Sequence, residues 1–186
     1  GDECGLIRGG CLQRFENGVI YYSSSGTFTL PNDVNAAYEG LQGQSGILGY
    51  PKARPVTSTA NGGGTIYAFQ SGSIYSSPAG AFPVFGSLES QYLARGGVAG
   101  NLGWPTSGRV CTPMDDCVQS FQLGTLKIDA ISEFASPRQA SLGPAIGPRS
   151  AESAPPGGAS LPFRSATVYT YQLGTFAVYG VIRTEY

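Results

Sequence analysis

Phe15-Glu16-Asn17-Gly18-Val19-Ile20 recurs as Phe69-Gln70-Ser71-Gly72-Ser73-Ile74, as Phe121-Gln122-Leu123-Gly124-Thr125-Leu126 and as Tyr171-Gln172-Leu173-Gly174-Thr175-Phe176. The aromatic positions step by 54, 52 and 50 residues, so the chain is an array of one structural unit. An aromatic followed three residues later by Gly and five later by a large apolar residue predicts a two-residue hairpin turn with Gly at positive φ. That register sets Phe15 opposite Ile20 and Phe69 opposite Ile74 and makes Phe15, Phe69 and Phe121 core residues.

Working outward, Phe85, Leu88 and Tyr92 fall at three-then-four spacing before Gly96-Gly97, one apolar helical face stopped by glycines. Residues 32–40 offer the same element, with Asn32 or Asp33 as cap and Val34, Tyr38 and Leu41 on the buried face. Each helix leads through a Gly-rich stretch to Leu48-Gly49-Tyr50-Pro51 or Leu102-Gly103-Trp104-Pro105. Ile146-Gly147-Pro148 reads as a degenerate third version. The fold class is therefore α+β and β-rich: tandem β-hairpins, each with a short helix. A single array, 1–186, divides into approximate copies 1–54, 55–108, 109–148 and 149–186. Pro and Gly crowd residues 136–161, which predicts an irregular segment. Residues 178–186 match residues 84–92, a last copy that is cut short.

Composition bounds the function. Charged residues make up 12%, with a net charge of -1 and no run of like charge, which removes the electrostatic footprint of a nucleic-acid binder. No apolar stretch reaches the ~20 residues of a membrane span, so membrane insertion is not expected. No basic-then-apolar leader opens the chain, so a secreted protein would be seen here in mature form.

The four cysteines fall as close pairs, Cys4 with Cys11 and Cys111 with Cys117. Four cysteines allow three connectivities. Cys11 and Cys117 each precede a repeat phenylalanine by four residues, which favours one small loop inside each of two copies. Such a loop contributes roughly 2 to 3 kcal/mol in the chain-entropy model and points to an oxidising compartment. A four-thiolate zinc site is the rival reading, although its usual spacing is absent.

The phased Leu-Gly-aromatic-Pro motifs, hairpins and helices resemble the LGFP repeat family of actinobacterial envelope proteins. The resemblance is strongest over residues 10–130. In that family the repeats accompany secreted enzymes such as corynebacterial mycolyltransferases and peptidoglycan-acting hydrolases. The resemblance implies a secreted or wall-associated module that holds cell-wall glycan, at the arabinogalactan and peptidoglycan layer, with no cofactor. It also implies a propeller-like pseudo-symmetric ring. The acidic residue usual after the motif in the family is replaced here by nearby Arg54 and Arg109, and only Glu152 stands in the third copy.

Catalysis finds little footing in the sequence. The chain has no His, which removes Ser-His-Asp and Cys-His schemes. A carboxylate pair of the glycosidase type survives as a possibility, yet Asp115-Asp116 lies in a presumed disulfide loop, and Glu89 and Glu133 read as solvated helix positions. Asn61-Gly62-Gly63-Gly64 precedes a strand and lacks the helix N-terminus of a phosphate loop. It reads as a loop between repeat units. Sugar recognition favours flat aromatic faces beside hydroxyl, amide and guanidinium groups, which makes Tyr22, Tyr50, Tyr67, Tyr75, Trp104, Arg54 and Arg109 the candidate ligand-binding residues. Tyr50 and Trp104 are equally read as wedges between repeat units. A glycan-binding module is the leading expectation. An extracellular protein-binding role as inhibitor, accessory subunit or assembly component is the alternative, with contacts on the cysteine loops or residues 136–161.

Overall fold

The computed structural model describes residues 2–111, 116–135, 138–152, 158–171 and 174–179. It is β-rich: the described residues form four small antiparallel sheets with short helices. The first sheet is a meander of β1 (Glu3–Cys4), β2 (Cys11–Phe15), β3 (Gly18–Ser23) and β4 (Gly26–Pro31), followed by α1 (Asn32–Glu39). The second repeats it as β5 (Val56–Ser58), β6 (Gly64–Phe69), β7 (Gly72–Ser77), β8 (Gly80–Phe85) and α2 (Gly86–Ala94). The third copy has β9 (Val110–Cys111), β10 (Cys117–Phe121) and β11 (Gly124–Ile128), then runs into α3 (Ala130–Ala135) and α4 (Gln139–Leu142). The fourth is β12 (Ser150–Glu152), β13 (Gly158–Pro162), β14 (Ala166–Tyr171) and β15 (Gly174–Tyr179). Two compact units result, residues 1–109 with 119–126, and residues 110–118 with 127–186.

The repeating hairpin exists, with a different register and a different reason for its glycine. Phe15 pairs with Gly18 and Phe69 with Gly72, while Ile20 faces Gln13 and Ile74 faces Tyr67. Gly18 and Gly72 are absent from the positive-φ positions. They are glycine because of close packing: a Cβ on Gly72 would sit 2.6 Å from Phe85 Cβ and 2.7 Å from Leu48 Cδ2, and one on Gly18 would sit 2.4 Å from the Leu30 carbonyl oxygen. The positive φ falls instead in the second hairpin, at Gly26 and Gly80, both at 121°. Tyr171-Gly174 belongs to that second hairpin, since Tyr171 pairs with Gly174 as Ser23 pairs with Gly26 and Ser77 with Gly80. Phe163, bridged to Ala145, holds the place of Phe69 and Phe121 in the fourth copy.

Both α1 and α2 form where the sequence predicts them, but neither has a side-chain cap. Asn32 Nδ2 donates to the Glu16 carbonyl, and Asp33 accepts from the Ser76 hydroxyl at 2.8 Å, so both candidate caps are spent on tertiary contacts. Helix α1 lies between sheets one and two: Val34 and Tyr38 are buried with Leu12, Val19, Tyr21 and Leu30 of the first sheet and with Phe69, Ile74 and Phe85 of the second. Tyr38 sits edge-on to Tyr21 at 5.3 Å and against Phe69 at 4.7 Å. The next copy repeats both contacts, Tyr92 with Tyr75 at 5.4 Å and with Phe121 at 4.7 Å. Each helical tyrosine thus joins its own sheet to the one that follows. In the second unit aliphatic groups take over, with Ile131, Ala135 and Leu142 buried against Ala159, Phe163, Ala166 and Val168.

Phe69 and Phe121 are core residues as expected, at 0% and 4% exposure, but Phe15 is 52% exposed. Its sheet has no preceding helix to cover that face among the described residues.

The third Leu-Gly motif is Leu142-Gly143-Pro144-Ala145, displacing Ile146-Gly147-Pro148. Gly49, Gly103 and Gly143 share a left-handed φ of 66°, 67° and 72°, and Leu48, Leu102 and Leu142 are all buried. The Pro- and Gly-rich stretch 136–161 also carries α4, β12 and the start of β13, because its strands are paired into the fourth sheet. The rest of that segment, with the match of residues 180–186 to a helix, lies outside the described residues. Asn61-Gly62-Gly63-Gly64 lies inside the second copy, joining β5 to β6, which begins at Gly64.

Both disulfides form within their own copies, Cys4–Cys11 and Cys111–Cys117, and no free cysteine remains, which overturns the zinc reading. Each joins directly opposed residues on the first strand pair of its sheet. The same position holds Thr57 opposite Thr65 in the second copy and Ala151 opposite Ala159 in the fourth. The two stapled strands, β1 and β9, are two residues long, whereas unstapled β5 and β12 are three. The covalent bond stands where the ladder is shortest.

Candidate functional site

The Leu-Gly-aromatic-Pro motif organises each junction between copies. Its glycine carbonyl accepts the helical tyrosine hydroxyl at 2.7 Å, Tyr38 to Gly49 and Tyr92 to Gly103. The aromatic side chain turns back under its own copy, where Tyr50 Oη donates to the Ile7 carbonyl and Trp104 Nε1 to the Ala60 carbonyl, both at 2.8 Å. Its backbone N–H donates forward to a glutamine of the next hairpin, Gln70 Oε1 or Gln122 Oε1. Tyr50 and Trp104 are 1% and 0% exposed. They are wedges, and neither ring offers a face to a ligand. Burial raises the Tyr50 phenol above its ordinary value.

Tyr75 is also lost as a ligand contact. It lies on the opposite sheet face from Ile74, as its position predicts, and is buried there against Tyr92 and Trp104. Tyr67 is half-buried on the face that packs against α1, and its phenol is raised by burial and then by the nearby Asp33 carboxylate. Tyr22 is 55% exposed, opposite Cys11 and Thr27 on the same sheet face as Phe15. Glu89 is half-buried, and burial pushes its carboxyl up against a hydrogen bond from Ser73, so it is no plain solvated residue. Asp115 and the Glu133 side chain lie outside what the structure describes.

Arg54 is exposed, and the Arg109 guanidinium stands 5.0 Å over the Phe85 ring. Both follow a Leu-Gly motif and precede the first strand of the next sheet. Arg149 holds the same place after Leu142-Gly143-Pro144-Ala145, immediately before β12. Sequence reading missed it because the third motif has proline in the aromatic's place and alanine in the proline's. The surviving signal was an arginine three or four residues after each motif's last residue.

Arg149 sits between two carboxylates, 3.3 Å from Asp116 and 3.5 Å from Asp129. Those carboxylates line a groove of about 420 Å³ with Val118, Lys127 and Ile128, all within the second unit. Asp116 is carried by the Cys111–Cys117 loop, and Lys127 and Asp129 by the end of β11. Asp116 is thus no turn residue alone. The groove offers carboxylate acceptors, the Lys127 ammonium as a donor and apolar lining from Val118 and Ile128, with the Arg149 guanidinium paired to its two carboxylates. That combination suits a polyhydroxylated ligand, whose hydroxyls both donate and accept.

No helix of the described residues is long and apolar enough to cross a membrane. The two disulfides fit an oxidising compartment. A comparison with curated proteins finds no match. The family model described as LGFP repeat matches residues 1–46 and 48–100, covering the first two copies and more than half of the 186 residues. With the motif glycines, wedges and helical tyrosines repeating in phase across those copies, the chain belongs to the LGFP repeat family.

Proposed function

We propose that this chain is a secreted, non-catalytic LGFP-repeat module that binds cell-wall polysaccharide of the arabinogalactan and peptidoglycan layer. The observation that carries the reading is the groove of the second unit, where Arg149 braces Asp116 and Asp129 beside Lys127. Mutual pairing fixes acceptors and donors at set positions, and groups so fixed lose less entropy when they meet a sugar hydroxyl. The arginines recurring after each Leu-Gly motif give the array similar polar groups in successive copies, and several weak contacts on one polymer multiply into firm retention. The four-stranded meander is also the format of a propeller blade, which supports a ring-like arrangement as part of this reading.

Sedimentation of the purified protein with insoluble actinobacterial cell wall tests it. The protein is expected to pellet with intact wall and to stay in solution once the arabinogalactan is stripped. Asp129→Asn and Arg149→Gln are expected to weaken pelleting. Equal recovery in the supernatant with both walls would end the glycan reading. Binding of an extracellular protein is the second reading, favoured by the exposed face of the first sheet that carries Phe15 and Tyr22.

A further inference from the structure

The three Leu-Gly motifs are seated on the hairpins that follow them in one geometry. The bridges are Pro51 to Phe69, Pro105 to Phe121 and Ala145 to Phe163. Three backbone hydrogen bonds surround each bridge. At the first junction Lys52 N–H donates to the Ala68 carbonyl, Gln70 N–H to Tyr50 and Ser71 N–H to Leu48, each at 3.0 Å. At the second, Thr106 donates to Ser120, Gln122 to Trp104 and Leu123 to Leu102, at 2.9 to 3.0 Å. At the third, Ile146 donates to Pro162, Arg164 to Pro144 and Ser165 to Leu142, at 2.9 to 3.1 Å. Pro144 therefore holds the backbone place of the wedges Tyr50 and Trp104.

Two contacts define the seat that each wedge fills in its own copy. One is the glycine five residues before the repeat phenylalanine, Gly10 or Gly64. A Cβ on Gly10 would overlap the Tyr50 phenol, and one on Gly64 would sit 2.8 Å from Trp104 Cη2. The other is the tyrosine six residues after that phenylalanine, Tyr75 in the second copy, which stands edge-on to Trp104 with centroids 6.3 Å apart. The third copy differs at every one of these positions. Pro144 has no aromatic ring to insert, Asp116 stands in the place of Gly10 and Gly64, and Lys127 in that of Tyr21 and Tyr75. Asp129 replaces Ser23 and Ser77, eight residues after the phenylalanine. Close approach of a ring is what demands glycine there, so Asp116 is admissible only because the aromatic is gone. Asp116, Lys127 and Asp129 all line the groove of about 420 Å³. The groove is the wedge seat of the third copy, emptied of its ring and relined with charge.

We propose that this seat is a subsite for one neutral sugar ring of the polysaccharide, entering where Tyr50 and Trp104 enter in their own copies; the proposal rests on the glycan reading above. A sugar ring resembles the wedge in breadth and flatness. Its C–H face suits Val118 and Ile128, and its hydroxyls suit Asp116, Asp129 and Lys127. The volume lies at the lower end of the ~300 to 1,000 Å³ of small-ligand sites, which holds the occupant to a ring or two. Arg149 pairs with Asp116 at 3.3 Å and with Asp129 at 3.5 Å, so two carboxylates balance two cations. A neutral ring leaves that balance intact, whereas a uronate or an amino sugar brings in a charge with no partner, at a desolvation cost.

Methyl glycosides of arabinose and galactose, added to the intact protein and followed by methyl NMR, test it. At least one is expected to shift the Val118 and Ile128 methyls saturably with a roughly millimolar dissociation constant, the range open to a ligand of one ring. Methyl glucuronide and methyl glucosaminide are expected to bind about tenfold more weakly or worse. Pro144→Trp with Asp116→Gly rebuilds the wedge of the second copy and is expected to abolish the shifts. Lys127→Met, at an exposed side chain, is expected to weaken binding about tenfold without disturbing the fold. The proposal is overturned if neither neutral sugar moves those methyls at ~50 mM, far above a millimolar dissociation constant. Charged sugars that bind as tightly overturn it too, as does binding undiminished in Lys127→Met. Sedimentation with cell wall separates this subsite from the wider reading. A rebuilt-wedge variant that pellets as well as the unaltered chain overturns the subsite alone, whereas an unaltered chain that stays in solution ends the wall reading whatever the methyls show.

Discussion

Raising the pH through the phenol range should unfold this protein cooperatively, because Tyr21, Tyr38, Tyr75 and Tyr92 are each at most 2% exposed. Burial is the main cause in all four, pushing Tyr21 up to about 12, with Glu39 adding to it, and the other three further up. An unfolded tyrosine loses its proton near pH 10. Between that value and the folded one the unfolded chain has shed a proton that the native state keeps. Stability is therefore complete below about pH 10 and falls as pH rises toward the folded values. Each tyrosine costs up to about 1.4 kcal/mol per pH unit in that window, so four together remove roughly 5 to 6 kcal/mol per unit. A domain of ordinary stability, about 5 to 15 kcal/mol, is expected to unfold between about pH 11 and 12. Phenolate absorbance and far-ultraviolet circular dichroism, recorded in one titration, follow both events. A block of phenolate signal should arrive together with loss of the dichroism. Complete phenolate formation below about pH 11 with dichroism intact would refute the reasoning.

Tyr38→Phe and Tyr92→Phe each leave a glycine carbonyl without its donor, and urea unfolding should show a loss of about 1 to 3 kcal/mol for either. Replacing Gly72 with Ala drives a Cβ into Phe85 and Leu48 and should destabilise by about 1 to 3 kcal/mol in thermal unfolding. D-Ala at the same position, installed by chemical ligation, should give no rescue, since no positive φ is involved. Trp104→Ala empties a fully buried site and removes the donor to Ala60, with an expected cost of about 3 to 5 kcal/mol by denaturant titration. The double change Cys4→Ser with Cys11→Ser should leave the second unit's exchange protection intact while raising amide exchange in β1, whose ladder is two residues long.

Much of this architecture was legible in the sequence because it repeats. Val34, Tyr38, Leu88 and Tyr92 fall at helical spacing, and the two motifs lie 54 residues apart, so helices, hairpins and the meaning of both cysteine pairs could be read directly. Register was harder to read. In each of the first two copies the glycines of the two successive hairpins look alike in one dimension, and only the collision of Gly72 with Phe85 and Leu48 shows which excludes a side chain and which bends the chain. Phe15 misled for a related reason, since periodicity gives the face of a residue and says nothing of whether a neighbour covers it. The fourth copy was phased on Tyr171 because its true first hairpin, Phe163-Arg164-Ser165-Ala166, has lost both glutamine and glycine. Of the candidate ligand residues, Tyr50, Tyr75 and Trp104 are buried while Tyr22 and Arg54 are exposed. Aromatics at repeated positions are the ones that hold copies together, while the groove around Arg149 is assembled from segments far apart in sequence.

The third junction, Leu142-Gly143-Pro144-Ala145 against Phe163, keeps its three main-chain hydrogen bonds although proline stands in the aromatic's place, alanine in the proline's, and arginine in that of the receiving glutamine. The joint is thus nearly blind to side chains: it asks for a left-handed glycine, a buried leucine and free peptide groups. A coupling of that kind works like a standard thread on interchangeable fittings. Copies can be duplicated, deleted or shuffled without rewriting their neighbours, so that array length drifts freely while the outward loops of each copy diverge on their own.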